Sequence, residues 1–275
     1  MYLNFTTHDC RIVTTAFIGV ATMIMTAEWL QNLALFDDTG LLSWRVLRLR
    51  QGWLYQNRVS EPLFSKSTVL GVLVLRFVCA AGLVAIRSPT IEIALLAFIL
   101  VSSIYLTVRT GWGGNGADQM STVLVAGALL MSAGDATRDS RTVSAGVLLI
   151  GGQACISYFV SGAAKLVSRS WRSGNALPGV MLTQTYGHAF AAKLASSTSV
   201  AFLFCWSVIV TEMAFPVVLI APPSLLLLIL SGFMIFHLSN AVFMGLNGFV
   251  FTFIGTYPAV FVLNLWTRHF LGLLS

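Results

Sequence analysis

The stretch at residues 142–167, TVSAGVLLIGGQACISYFVSGAAKLV, decides how the rest of this sequence is interpreted. It carries no charged residue before Lys165, and it is longer than the roughly 20 helical residues that cross the hydrocarbon core of a bilayer. Apolar stretches of the same kind recur along all 275 residues. The sequence therefore predicts an all-α, polytopic membrane helical bundle with about eight transmembrane segments and interfacial helices.

Composition agrees with a membrane protein along the whole chain. The sequence is 57% hydrophobic and 9% charged, whereas an ordinary soluble domain has about 25% charged residues. We expect a single transmembrane domain over residues 1–275, with no soluble module and with a break near Gly245 and Gly248. The predicted spans are 12–36, 68–86, 90–108, a short one at 119–133, 142–167, 199–220, 223–243 and 248–266.

The net charge of +6 does not indicate nucleic acid, because the basic residues are spread between the spans. Anionic lipid headgroups are the expected partner. The densest basic group follows the first span within residues 1–66 and predicts an interfacial segment or, more simply, an anchoring loop. Its members are Trp44, Arg45, Arg48, Arg50, Trp53, Tyr55 and Arg58. Arg11 is the one basic residue before the first span, so we expect that span to remain as an anchor rather than a cleaved signal peptide.

The cysteines and histidines predict no metal site. No two histidines stand at a helical ligand spacing, and the cysteines share no ligand spacing. We expect small buried thiols without disulfides. The cysteines are Cys10, Cys79, Cys155 and Cys205.

The candidate catalytic group is Lys165. In a helix, Tyr158, Ser161, Gly162 and Lys165 fall on one face, where the small residues would let a helix or a flat ligand approach closely. An amine at the edge of the hydrocarbon layer could act as a base, because burial disfavours its charged form. Position alone favours a different role, in which the lysine extends to the headgroups beside Trp171 and the following arginines.

Other polar residues inside the spans indicate a pocket. Glu212 stands four residues before a proline, where a kinked helix would form a pocket wall. His237 and Asn240 share one helix face and could either touch one ligand or form a core pair. Arg76 is expected to pair with Glu212 or with Glu28, although Glu28 could instead lie at the membrane interface.

Two separated motifs resemble a known family. Tyr158-Phe-x-x-Gly-x-x-Lys165-Leu followed by Trp171, and His237 followed by Asn240, Phe249 and Pro258, are similar to the vitamin K-dependent gamma-carboxylases and their bacterial relatives with the HTTM domain. The loop Trp112-Gly-Gly-Asn115-Gly-Ala-Asp118 resembles a glycine-rich loop of bacterial HTTM proteins. The similarity covers residues 111–258.

This chain also departs from the family. Asn115 stands where the carboxylases carry a histidine, and one extra residue separates Lys165 from Trp171. The carboxylases continue into a large soluble domain, whereas this sequence ends at Ser275. It therefore resembles most closely the short, membrane-only branch, such as the SdpB-like proteins that help mature small secreted peptide toxins.

The resemblance implies a function in a cell membrane, expected to be a bacterial inner membrane. The implied catalytic residues are Lys165 and His237, acting with a reduced menaquinone or a vitamin K-like quinone and without a metal. Further residues of the implied site are Tyr158, Gly162, Trp171, Glu212, Asn240, Asn115, Asp118 and Phe249, and the apolar walls are expected from Phe159, Phe243, Phe249 and Trp206.

Three functional hypotheses remain open. The first is an enzyme, carboxylase-like or otherwise quinone-dependent, that modifies or helps to mature a small peptide, with a small accessory protein as a further possible partner. The second is a non-catalytic membrane partner or scaffold for a peptide precursor or another membrane subunit. A transporter ranks third, because the sequence shows no repeat symmetry.

Overall fold

The described residues are mainly α-helical and contain no strand. They form two compact units, one running Arg11–Gly146 and the other beginning at Val147 and including the start of the chain up to Cys10. The structure, a computed structural model, describes residues 5–49, 57, 60–111 and 114–273.

Fourteen α-helices and two short 3-10 helices make up the described chain. The first seven α-helices are α1 (Thr7–Gln31), α2 (Trp44–Leu47), α3 (Ser60–Leu63), α4 (Lys66–Ala85), α5 (Pro89–Thr110), α6 (Gly116–Thr137) and α7 (Ser140–Val167). The others are α8 (Arg169–Arg172), α9 (Ala176–Met181), α10 (Ala189–Ala195), α11 (Thr198–Ala214), α12 (Pro223–Met244), α13 (Asn247–Ile254) and α14 (Tyr257–Phe270). The 3-10 helices are Leu33–Phe36 and Phe215–Leu219.

Eight helical segments in the described part of the chain are long and apolar enough to cross a membrane. The predicted class, an all-α bundle of about eight spans, is confirmed. The prediction of a short fourth span is wrong, because α6 has 22 residues and begins at its cap, Asn115. The last span is interrupted between α13 and α14, where Pro258 occupies the first turn of the new helix and needs no backbone partner there. The predicted break after α12 is present, with Gly245 in the left-handed conformation at a φ of 70°.

A buried charged cluster joins the ends of α1, α5 and α6. Arg11 donates through Nε to Asp135 at 2.5 Å and through Nη1 to Glu92. Ser132 donates to the same oxygen of Glu92 at 3.0 Å. Arg11 and Glu92 are completely buried, so this ion pair fastens three helices without help from solvent.

Arg109, buried in the last turn of α5, holds the loop that follows the first span. Its Nε and Nη1 atoms donate to the carbonyl oxygens of Phe64 and Leu42, each at 2.8 Å. The guanidinium lies 5.0 Å from the centre of the Phe36 ring and 5.4 Å from that of Trp44. Trp44 is therefore packed inside the protein, and the interpretation of this residue as part of a plain anchoring loop is wrong.

The rest of the predicted basic loop is only partly visible. Arg45 pairs with Asp38 at 3.3 Å and Arg48 with Glu61 at 3.5 Å, and all four side chains are exposed. Exposed pairs of this kind contribute little stability. Arg50, Trp53, Tyr55 and Arg58 lie outside the described residues.

Arg76 does not pair with either of the carboxylates predicted for it. Its Nη1 atom donates to the carbonyl of Ile99 and to the hydroxyls of Ser102 and Ser103, at 2.8, 2.6 and 2.9 Å. Three neutral acceptors on α5 thus replace the expected salt bridge. Glu28 is exposed in the last turns of α1, which agrees with the alternative of an interfacial position.

The four cysteines are free and buried, as predicted. They fill small gaps between helices and form no disulfide.

We expect Arg11→Ala to destabilise the protein by about 3–5 kcal/mol, because it leaves the carboxylate of Glu92 fully buried, and that of Asp135 partly buried, without this cation. Glu92→Gln should cost less, since Arg11 retains Asp135. Thermal unfolding in detergent micelles measures both, with the exposed residue Arg141 changed to Ala as the matched control. Equal melting temperatures for Arg11→Ala and Arg141→Ala would contradict this role for the cluster.

Candidate functional site

A cavity of about 400 Å³ lies in the unit that begins at Val147. Its walls are mainly apolar and come from α7 to α13. Lys165 and His237 both line it, so the structure brings together the two residues that the sequence singled out as catalytic candidates. The other predicted site residues that line it are Tyr158, Trp171, Glu212, Asn240 and Phe249.

The predicted face of α7 forms one wall of this cavity. Tyr158, Ser161 and Lys165 all line it, as the spacing along the helix predicts. Tyr158 and Lys165 are seven residues apart, or about 10 Å along the helix axis. The cavity therefore has two polar ends separated by apolar surface.

Lys165 forms the first polar end together with Glu212 and Ser161. Its Nζ atom donates to Glu212 Oε2 at 2.7 Å and to Ser161 Oγ at 2.5 Å. The lysine and glutamate side chains are 18% and 6% exposed, so the ion pair is largely shielded from solvent. The lysine Nζ also lies 5.2 Å from the centre of the Trp171 ring, which adds a cation–π contact.

This geometry changes the expected chemistry of the lysine. The sequence predicted an amine activated mainly by apolar burial, whereas the structure supplies it with a carboxylate partner. A lysine in an ion pair can act as a base only after its proton has been passed on. The two residues form one ion pair, in which Glu212 Oε2 accepts the hydrogen bond from Nζ.

Glu212 reaches this position because α11 changes geometry directly after it. The α-helix ends at Ala214 and continues as the 3-10 helix Phe215–Leu219, which has Pro216 in its first turn. The backbone N–H of Phe215 donates to the carbonyl of Glu212, so this carbonyl keeps a partner despite the proline. The helix thus changes geometry next to Pro216, and Glu212 lines the cavity, with Lys165 as its partner instead of the predicted Arg76.

Tyr158 and His237 form the second polar end. The tyrosine hydroxyl and His237 Nε2 are 2.6 Å apart, and both side chains are buried. Phe253 stacks on the imidazole with the ring centres 4.6 Å apart, and the centre of the Phe215 ring lies 4.1 Å from that of the tyrosine ring. These aromatic contacts fix the imidazole plane and hold water away from it.

The other nitrogen of the imidazole, Nδ1, is a buried polar atom. His237 is 2% exposed, and its Nδ1 atom has no hydrogen-bond partner among the described residues. A buried polar atom without a partner is costly, so a ligand atom that bonded to it would be favoured. Asn240 lines the cavity one helical turn beyond His237 and adds an amide that can donate and accept.

A groove between α11 and α12 adjoins the cavity. It has a volume of about 480 Å³ and almost entirely apolar walls. The cavity and the groove share a wall of four residues: Phe204, Val208, Glu212 and Phe236. Gly232 lines the groove and has no atom within 4 Å of the place where a side chain would begin.

Several predicted site residues lie elsewhere. Gly162 is buried where α7 meets α11, and a methyl group there would stand 2.7 Å from the backbone nitrogen of Met213, so it allows helix contact rather than ligand contact. Asn115 and Asp118 belong to the unit Arg11–Gly146, where they form a capping box at the start of α6.

Of the four predicted aromatic wall residues, Phe243 and Phe249 line the cavity. Phe159 and Trp206 do not. Phe159 points outward with 45% of its surface exposed, because its position on α7 lies off the Tyr158 face. The indole of Trp206 donates to the carbonyl of Arg172 at 3.1 Å. Trp112, part of the loop motif, lies outside the described residues.

Sequence reasoning missed the contribution of the short helices. Phe190 and Leu194 of α10 and Leu177 and Val180 of α9 line the cavity, although the only site residue predicted between the fifth and sixth spans was Trp171. The spacing of Phe190 and Leu194 at i and i+4 was a usable signal for an apolar helix face. Ser161 was noted only for its small size, and its hydroxyl proves to be a partner of Lys165.

No protein-family model, curated protein or solved structure matches this chain. Membership of the carboxylase-like family therefore stays a prediction that rests on the motifs around Lys165 and His237.

Proposed function

We propose that this chain is a multi-pass membrane protein that binds a lipid-borne molecule with a flat, oxygen-bearing head, such as a reduced menaquinone or vitamin K-like quinone, and uses it to modify or mature a small peptide. The observation that carries the proposal is the single apolar cavity with Lys165–Glu212 at one end and Tyr158–His237 at the other. Its volume of about 400 Å³ lies within the range of small-molecule sites.

The residues present fit a quinone. A quinone ring needs apolar walls and a few hydrogen-bonding groups for its oxygens, and the cavity offers His237 Nδ1 without a protein partner. The adjoining groove between α11 and α12 has the apolar character that an isoprenoid tail requires. When bound, a reduced quinone would supply oxidisable hydroxyl groups whose protons must be removed.

The residues of the chain have separable roles in this proposal. His237 and Asn240 would bind and orient the ring oxygens, and Tyr158 would fix the imidazole through its hydrogen bond to Nε2. Lys165 and Glu212 would hold and move a proton between Nζ and Oε2. The aromatic side chains would exclude water, which strengthens each of these interactions and protects reactive species.

Modification of a peptide is inferred from the resemblance to the gamma-carboxylases and to the SdpB-like branch. A peptide substrate, an accessory protein and a bacterial inner membrane follow from the same resemblance. The Lys165 cavity supports the part of the proposal that concerns chemistry within the membrane, since a protected proton-sharing pair beside an unpartnered imidazole nitrogen is typical of catalytic sites.

The Lys165–Glu212 ion pair also favours a second candidate. A lysine held by a carboxylate, a serine and a tryptophan could serve only to fasten α7, α8 and α11 to one another. The chain would then be a non-catalytic partner for a peptide precursor or another membrane subunit. Substitution of the lysine by arginine separates the two candidates.

We expect Lys165→Arg to keep insertion and folding intact but to lower peptide modification by about 100-fold or more, because guanidinium retains the charge of the ion pair yet is not deprotonated in proteins. Mass spectrometry of the small secreted peptides from a deletion strain complemented with each variant gives the readout. Lys165→Met is the comparison, because it removes the ion pair as well and should destabilise the protein. Full modification by Lys165→Arg, with loss only in the unstable Lys165→Met, would favour the non-catalytic role.

We expect Gly232→Leu to weaken retention of a lipid quinone several-fold without loss of stability, because the new side chain enters the groove from a position where a Cβ atom meets no protein atom. Gly71→Leu is the matched control, since Gly71 is also exposed and helical and has open space around it in α4. Quinone extracted from the purified proteins and measured by liquid chromatography checks this prediction. Equal quinone content in both variants would show that the groove does not hold the tail.

A further inference from the structure

A second cavity, of about 340 Å³, lies within the unit Arg11–Gly146 and has no role in the proposed function. It is bounded by the last turns of α1 and α5, the first turns of α6 and the middle of α4. Its walls are more polar than those of the Lys165 cavity, since one cation, one anion and five hydroxyl groups face it. These residues are Arg76, Asp118, Ser103, Thr107, Thr110, Ser121 and Thr122.

Arg76 forms the deep end of this cavity. It lies ten residues beyond the start of α4 at Lys66, which is about 15 Å along the helix. The side chain is 5% exposed, and its hydrogen bonds to the described residues all leave from Nη1. A guanidinium has five N–H donors, so the donors on Nε and Nη2 have no acceptor in the described part of the chain.

The acceptors that Arg76 does have are neutral. A carbonyl and two hydroxyls offset part of the cost of burying the guanidinium but do not neutralise its charge. Buried cations in membrane proteins are normally paired or face a cavity with a function. An oxyanion in the cavity would complete both the charge balance and the hydrogen bonding.

Asp118 brings the opposite charge from the first turn of α6. One of its oxygens, Oδ2, accepts the backbone N–H of Asn115 at 2.8 Å as part of the capping box. Asp118 and Arg76 line the same cavity, yet no ion pair joins them in the structure as described. The two charges therefore face a common space from different helices. Arg76 has unused N–H donors, and Asp118 has a second carboxylate oxygen, that a ligand could bond to.

We propose that this cavity binds a small zwitterionic molecule from the aqueous phase, with its carboxylate on Arg76 and its ammonium on Asp118. A simple anion would be repelled by Asp118, and a simple cation by Arg76, whereas a zwitterion satisfies both. The planar fork of the arginine suits a carboxylate in particular. The apolar part of the molecule would contact Met25, Trp29 and Leu106.

The depth of Arg76 favours a small solute over a lipid headgroup. Headgroup phosphates lie at the ends of the spans, whereas the guanidinium is bound at Ile99, about three turns from the end of α5 at Thr110. The mouth of the cavity is marked by Leu41 and Thr107, which line it and are exposed. A water-soluble molecule could thus enter from the helix ends.

The probes for the test are ω-amino carboxylates, from glycine to 6-aminohexanoate, added to the full-length protein in detergent. Binding is followed by the rise in melting temperature and by the change in tryptophan fluorescence, to which Trp29 in the cavity wall contributes. Hexanoate and hexylamine are the singly charged controls. We expect saturable binding of at least one amino carboxylate, tighter than that of either control by about 10-fold or more. No saturable response from any member of the series would overturn the proposal.

Variants show whether the two charges act as assigned. Arg76→Gln keeps a hydrogen-bonding amide beside α5 and should abolish binding. Asp118→Asn keeps a capping oxygen, and the ratio of the affinity for amino carboxylates to that for hexanoate should fall to about one. Arg87→Gln is the control, because it removes an exposed charge two residues after the end of α4. This variant should bind the probes as the unchanged protein does. Each response is measured against the melting temperature of the same variant without ligand, so a general loss of stability is not mistaken for lost binding.

Two results would contradict the assignment directly. The first is equal binding by Arg76→Gln and the unchanged protein. The second is a phospholipid that remains bound in native mass spectrometry, is lost from Arg76→Gln and is not displaced by any amino carboxylate, since this would make the cavity a lipid site.

Discussion

A charged or hydrogen-bonding side chain inside a bilayer has no bulk water as a partner, so the protein must supply one. This constraint explains the position of the polar residues within the spans of this chain. Arg11 is bound by carboxylates from two other helices, and Lys165 by Glu212. Places where the protein supplies less than the side chain can use are therefore informative. Two of them belong to residues that line cavities, His237 with its Nδ1 atom in one unit and Arg76 in the other.

Hydropathy was sufficient to predict the fold class because a membrane span is specified by length and composition, which a single sequence contains. The residues at which the helices begin and end were harder to predict. Asn115 extends α6 backwards through a capping box, and this signal is local chemistry that an average over a window removes. The short helices between the fifth and sixth spans are too short for any periodicity to be decisive, so their part in the cavity was not predicted.

In the candidate site, relations along one helix could be predicted from the sequence and contacts between helices could not. The spacing of Tyr158 and Lys165 placed both on one face of α7, because helix geometry fixes that relation from sequence alone. Which residues meet across helices was not fixed in this way. Arg76 was assigned to a carboxylate and is bound by a carbonyl and two serines. Lys165 was expected to be activated mainly by apolar burial and is paired with Glu212. Contacts between helices depend on rotation and packing, which no pattern along one helix contains.

Taken together, the two ends of the 400 Å³ cavity describe a site in which a proton can be held at Lys165–Glu212 while a ligand is oriented by His237. The apolar groove shares Glu212 with the cavity, and in the proposed function it would hold the tail of such a ligand. The peptide of the proposed function would then be a second substrate.

The most direct test is a cryo-electron microscopy map of the protein in lipid nanodiscs with a reduced menaquinone added. The account predicts density for a flat ring beside His237 and Asn240, continuing as a tail past Glu212 and along Gly232 in the groove. Lys165 and Glu212 should remain paired. A cavity that contains protein side chains or water alone at saturating menaquinone, or a ring bound elsewhere on the surface, would contradict the assignment of this cavity as the functional site.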